Sequence, residues 1–195
     1  MPVTMRLLKA LRSLAQGRFG LNCDPAESEW DAFSDDELLA LTDRATPDRI
    51  FCVEAALRRG LGIERVYDAC RIDPWFLDQM SLVTEERAAL TGRSSAQLDR
   101  REWRRAKQLG FSDAQLAYLW SEPEADVRSA RVAAGVLPTY KTVDTCAAEF
   151  AALTPYHYST WEDESEVRPS ARPKVIILGS GPNRIGQGIE FDYGC

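Results

Sequence analysis

The sequence predicts a mainly α fold: a multi-helix domain, an acidic linker, and then the first β-strand and glycine-rich loop of an α/β unit that stops early. Three observations predict it. Apolar residues recur at i, i+3, i+4 and i+7 in short blocks, as one buried helix face requires. Glycines close block after block, where a helix ends in left-handed backbone. Ser, Thr or Asp stands ahead of most blocks as a candidate N-cap, several with Glu or Gln three residues on.

In chain order, Leu7, Leu8, Leu11 and Leu14 form a first amphipathic helix that closes at Gly17 and has no evident partner nearby. Residues 17 to 33 hold two glycines, Asn22 and Pro25 without a sustained period, and read as a connector with a boundary near Gly20. Ser34 and Glu37 have capping-box spacing ahead of Leu38, Leu39 and Leu41. Thr46-Pro47 reads as a cap and first-turn proline for a helix carrying Ile50, Val53 and Leu57 to Gly60. Ile63, Val66, Tyr67 and Cys70 make the next stripe. Asp73-Pro74 then opens a longer helix with Trp75, Phe76, Met80, Val83 and Leu90, all assigned to the core. Ser95, Ser112 with Gln115, and Ser121 with Glu124 mark further starts, and the last helix ends at Gly135. About six helices are expected between Ser34 and Gly135.

Beyond Gly135, Val136 to Val143 favour extended backbone, with at most a turn of helix from Cys146 to Phe150. The run from Glu162 to Pro173 is acidic and proline-bearing, and reads as an exposed linker. The apolar run Val175 to Leu178 then empties into Gly179-Ser-Gly-Pro-Asn-Arg-Ile-Gly-Gln-Gly188. A strand followed by a glycine loop is how α/β folds begin a ligand-binding layer. The loop matches neither phosphate motif, because Arg184 stands where a dinucleotide fingerprint needs glycine, and Gln187-Gly188 stand where a phosphate loop needs lysine and a hydroxyl.

Bulk properties narrow the function. The 195 residues carry a net charge of −6 and 45% apolar residues, which suits a packed domain and gives the chain as a whole no footprint for nucleic acid or an anionic membrane. Five cysteines, Cys23, Cys52, Cys70, Cys146 and Cys195, are widely spaced with no Cys-x-x-Cys, which points to reduced thiols in a cytoplasmic protein, and Cys52 and Cys70 lie on apolar faces as inert thiols. With His157 the one histidine, no metal site is expected. Arg100, Arg101, Arg104, Arg105 and Lys107 around Trp103 read as a solvated helix face; Trp103 is the interface candidate, and nucleic acid is the weaker alternative.

The stretch Lys174 to Tyr193 resembles the opening of the second synthetase half of carbamoyl phosphate synthase large subunits. Tyr140-Lys-Thr-Val-Asp-Thr-Cys-Ala-Ala-Glu-Phe150, Tyr158-Ser-Thr160 and the acidic run after it resemble the same family in the same order. Gly60-Leu-Gly62, Ile72 to Leu77 and Gly110-Phe-Ser-Asp113 resemble its helical oligomerisation domain, and Met5 to Gln16 the last helix of the half before it. The resemblance covers essentially the whole chain and divides it into residues 1–20 (terminal helix of the preceding ATP-grasp half), 21–150 (oligomerisation domain), 151–173 (linker) and 174–195 (start of a truncated pre-ATP-grasp domain).

Several expectations follow from it. The parent makes carbamoyl phosphate from bicarbonate, glutamine-derived ammonia and two ATP, for arginine and pyrimidine synthesis. ATP and magnesium or manganese belong to its ATP-grasp domains, so this chain holds no cofactor, no metal and no catalytic residue, and is inactive alone. Its partners are other large subunits, as a homo-oligomer, and the small glutaminase subunit, with no nucleic acid or membrane. Gly179, Gly181, Asn183, Arg184, Gln187, Gly188 and Glu190 are loop candidates bordering the route of the carbamate intermediate. Gly194 departs from relatives that carry two cysteines there. The competing reading, from the residues alone, is a free-standing helical interaction module whose terminal strand pairs with another protein.

Overall fold

A computed structural model describes residues 2–14, 16–151 and 156–176. Among them are eight α-helices: α1 (Val3–Ser13), α2 (Asp35–Asp43), α3 (Arg49–Arg58), α4 (Ile63–Cys70), α5 (Pro74–Leu90), α6 (Arg100–Leu109), α7 (Asp113–Trp120) and α8 (Glu124–Ala133). A two-stranded antiparallel ribbon, β1 (Thr139–Thr142) and β2 (His157–Thr160), follows, with Thr139 opposite Thr160. The long helix α5 is the hub, packing against α1, α3, α4 and α6. Its Leu77, Met80, Val83 and Leu90 are buried.

Local chemistry sets most of the helix starts. Capping boxes form at Ser34/Glu37 and Ser112/Gln115, and Asp73 accepts from the Trp75 amide at 2.8 Å ahead of Pro74. Elsewhere the structure moves the start. Ser94 and Gln97 box only a 3-10 turn, Ser95–Gln97; α6 is capped by Asp99, whose carboxylate accepts from the Glu102 amide at 2.8 Å. Asp48, not Thr46, precedes α3. Ser121 takes left-handed backbone at the end of α7, leaving Pro123 to open α8. Seven helices, not six, therefore lie between Ser34 and Gly135.

Of the two segments that read as connectors, the first is the larger departure. In residues 17 to 33, Leu21, Asn22, Cys23 and Asp24 are all at most 1% exposed. Such a loop needs partners for its polar groups, since each one left unsatisfied costs about 1–3 kcal/mol. Asn22 donates to Glu54 Oε1 at 2.7 Å, and its carbonyl accepts from Gln115 Nε2 at 2.8 Å. The Cys23 amide donates to Glu27, which also takes Arg87 of α5 at 2.8 Å, and Arg18 pairs with Asp24 at 3.0 Å. Burial raises the Glu54 carboxyl above its usual range, against the pull of Arg58 and Asn22. Burial likewise pushes the Cys23 and Cys52 thiols up, to about 12 and about 11, which makes both inert, as expected for Cys52. Nor is α1 without partners, for Met5, Leu8 and Leu11 are buried beneath α5 and α6.

The end of β2 and the residue after it, just ahead of the acidic run, are held against the helices. Thr160 is fully buried, and the Trp161 ring lies under two cations, Lys107 and Arg131, each 4.9 Å from its centroid. Lys107 and Arg131 share Asp113, at 2.8 and 2.9 Å. Arg104 binds Asp163, and Lys141 binds Glu166 at 3.2 Å, yet residues 163–176 are exposed, as expected of a linker.

Two outcomes test this packing. Gly110 has φ +107°, and a Cβ there would stand 3.0 Å from the Met5 backbone. Gly110→Ala is expected to lower stability by about 2–4 kcal/mol in urea denaturation, from backbone strain plus overpacking. Burial pushes Lys107 down from the usual 10.5 to about 8, with Asp113 opposing and Arg131 and Arg12 assisting. Between those two pH values the unfolded chain binds the extra proton, so the contribution of Lys107 to stability rises with pH. Wild type should therefore gain on Lys107→Met as pH climbs from about 8 to 10.5, and a flat difference contradicts the assigned burial.

Candidate assembly face

Among the described residues, an apolar surface lies open between α1, the start of α3 and the start of α5. It is an open groove of about 560 Å³ walled by Leu7, Ile50, Ile72, Phe76 and Met80, with Arg6, Arg49 and Gln79 among its polar lining. Arg49 fixes one wall by donating to the carbonyls of Thr42 and Cys70, which ties the end of α2 to the end of α4. Trp75 and Phe76, assigned to the core from their helical spacing, are instead 52% and 51% exposed. Their rings meet edge to face at 5.0 Å. Phe76 shares the stripe of Met80 but lies in the first turn, where the groove leaves it half covered. Trp75 lies off that stripe, the one signal in the sequence that could have placed it outside.

Trp103, the residue expected at an interface, is 1% exposed and packs edge-on against Trp120 at 5.6 Å. Its ring belongs to the chain's own core and offers no surface to a partner. The arginine-rich helix around it is largely neutralised within the chain: Arg104 pairs with Asp163, Arg105 with Glu86 at 2.6 Å, and Lys107 with Asp113. Arg93 of the preceding turn takes Glu102 at 2.7 Å, which holds that carboxyl down at about 2. The loop candidates Gly179, Gly181, Asn183, Arg184, Gln187, Gly188 and Glu190 lie outside the described residues, while Val175 and Ile176 just before them are exposed. Among the described residues no group of three His, Cys, Asp or Glu side chains could hold a metal ion, and no helix is long and apolar enough to cross a membrane.

A helical bundle that exposes an open apolar groove has the character of an assembly domain. Comparison with known families agrees: residues 3–135 match the oligomerisation domain of the carbamoyl-phosphate synthetase large chain, and residues 171–195 match the preATP-grasp domain of carbamoyl phosphate synthase. The chain belongs to the carbamoyl phosphate synthetase large-chain family. The matched oligomerisation domain begins at residue 3 and takes in α1, in keeping with the shared core. The chain is 51% identical over 187 residues to a Nostoc carbamoyl phosphate synthase large chain and 53% identical over 189 to one from Clavibacter michiganensis. These alignments cover 96% and 97% of the chain but 17% of each relative. A Thermus thermophilus large chain is 56% identical over 147 residues, 75% of this chain and 14% of that protein. The chain thus spans about a sixth of the length of the relatives it matches.

Proposed function

We propose that this chain is the central segment of an ATP-dependent synthase that makes carbamoyl phosphate from bicarbonate, glutamine-derived ammonia and two ATP, and that it joins the two synthetase halves and assembles copies of the large chain. The observation that carries the reading is the match of residues 3–135 to an oligomerisation domain, on a fold that exposes an apolar groove. Supply of arginine and pyrimidine synthesis in the cytoplasm, a glutaminase small subunit, and ATP with magnesium or manganese bound in the flanking halves belong to the same proposal. The division at residues 20, 150 and 173 stands with it, qualified by the burial of α1 and of Thr160 in the helical core.

Self-association is assigned to the face of Trp75 and Phe76, because a second copy would cover two half-exposed aromatic rings and the groove beside them. In sedimentation velocity the chain is expected to form a concentration-dependent oligomer. The double variant Trp75→Ser/Phe76→Ser should associate at least tenfold more weakly with its helical content unchanged. Equal association by the variant removes this face from the interface.

Gly188 and Glu190 are the proposed wall of the intermediate's route, the glycine leaving the passage open and the glutamate giving it polar lining. In the intact parent, Gly188→Phe is expected to keep bicarbonate-dependent ATP hydrolysis and to stop carbamoyl phosphate formation. Undiminished synthesis by that variant rejects the assignment. The 195-residue chain alone should hydrolyse no ATP under the same assay.

A further inference from the structure

A second cavity, of about 240 Å³, lies between α1, the α6–α7 turn, α8 and the strap formed by β2 and the residues just after it. Four cations line it, Lys9, Arg12, Lys107 and Arg131, against two carboxylates, Asp113 and Glu124. Asp113 is already shared by Lys107 and Arg131. Lys9 and Arg12 have no carboxylate partner among the described residues. The Lys9 ammonium donates to the Ser159 carbonyl at 2.5 Å and to its hydroxyl at 3.2 Å; Arg12 donates to the Gly110 carbonyl at 3.1 Å and reaches Gln115 Oε1 at 3.5 Å. All of these acceptors are neutral. Both cations are partly buried, and burial, then the charge of Arg12, lowers the Lys9 ammonium.

Partly buried cations without a counter-charge are unfavourable, and an anion bound between them removes that cost. The lining carries two more positive than negative groups, so a dianion balances it where a monoanion leaves one charge over. Trp161 forms one wall, its ring centroid 4.9 Å from both Lys107 and Arg131, which are themselves buried. Guanidinium and ammonium groups converging on one small cavity suit a tetrahedral oxyanion, with Arg12 offering a planar fork and Lys9 a point charge.

We propose that this cavity is an oxyanion site for a phosphate-class dianion, free phosphate or a phosphate monoester, held by Lys9 and Arg12 beside the Lys107–Asp113–Arg131 cluster. Ser159 and Trp161 belong to the strap, so an occupant would tie residues 157–163 more firmly to α1 and α8.

Isothermal titration of the 195-residue chain with inorganic phosphate at pH 7, ionic strength held constant with chloride, tests it. Saturable one-to-one binding is expected, at least tenfold weaker in Arg12→Gln and in Lys9→Gln. Because Arg12 also holds the Gly110 carbonyl, Lys9→Gln decides the matter if urea denaturation shows Arg12→Gln to be unfolded. Methyl phosphate in a parallel titration separates the two sources: the tighter of the two ligands names the natural form. No saturable heat, equal phosphate affinity in wild type and Lys9→Gln, or acetate binding as tightly as phosphate would each overturn the proposal.

Discussion

Asn22 and Gln115 are fully buried polar side chains, and the bond from the Gln115 amide to the Asn22 carbonyl, 2.8 Å long, joins a loop near the start of the chain to a helix 93 residues later. Much of the fold is arranged around that contact. The loop can enter the core only if its amides and carbonyls are met there, and the partners come from three helices: Glu54 of α3, Arg87 of α5 through Glu27, and Gln115 of α7. Gly20 lets the backbone approach, because a Cβ at that position would stand 2.5 Å from Gln115 Nε2. With the loop seated, α1 is brought across α5 and α6, and its Arg12 reaches the Gly110 carbonyl.

The same logic extends to the far end of the helical unit. Asp113, at the start of α7, gathers Lys107 and Arg131, and these two cations hold the Trp161 ring. The segment that leaves the helical domain is thereby fixed to α6 and α8 by charge and ring contacts rather than by a continuous apolar face.

Helix existence was legible because it is local. Periodic leucines, the Ser34 and Ser112 boxes and the Asp73-Pro74 start are decided within a few residues, and the structure keeps them. Ser95 and Ser121 misled for the same local reason: a Ser ahead of a polar partner also suits a 3-10 turn or a left-handed helix end. Burial was less legible. Trp103 in its arginine-rich helix looked like a surface anchor yet fills the core, while Trp75 and Phe76 looked like core and lie half exposed. In each case the deciding neighbour, Trp120 for the first and the open end of the α1–α3–α5 groove for the second, is distant in sequence.

The sequence by itself determined the mainly α class, the order of the helices, the family, and the absence of a matching phosphate motif in the glycine loop, because each rests on residue types at short, fixed spacings. Tertiary structure alone decided that the polar connector is core, that α1 belongs to the helical unit, that Thr160 and Trp161 are held against the helices, and that four cations surround one cavity. The physical reason is the same throughout. A polar or charged side chain is read as exposed until its partner is known, and these partners, Glu54, Gln115 and Arg104, arrive from elements tens of residues away.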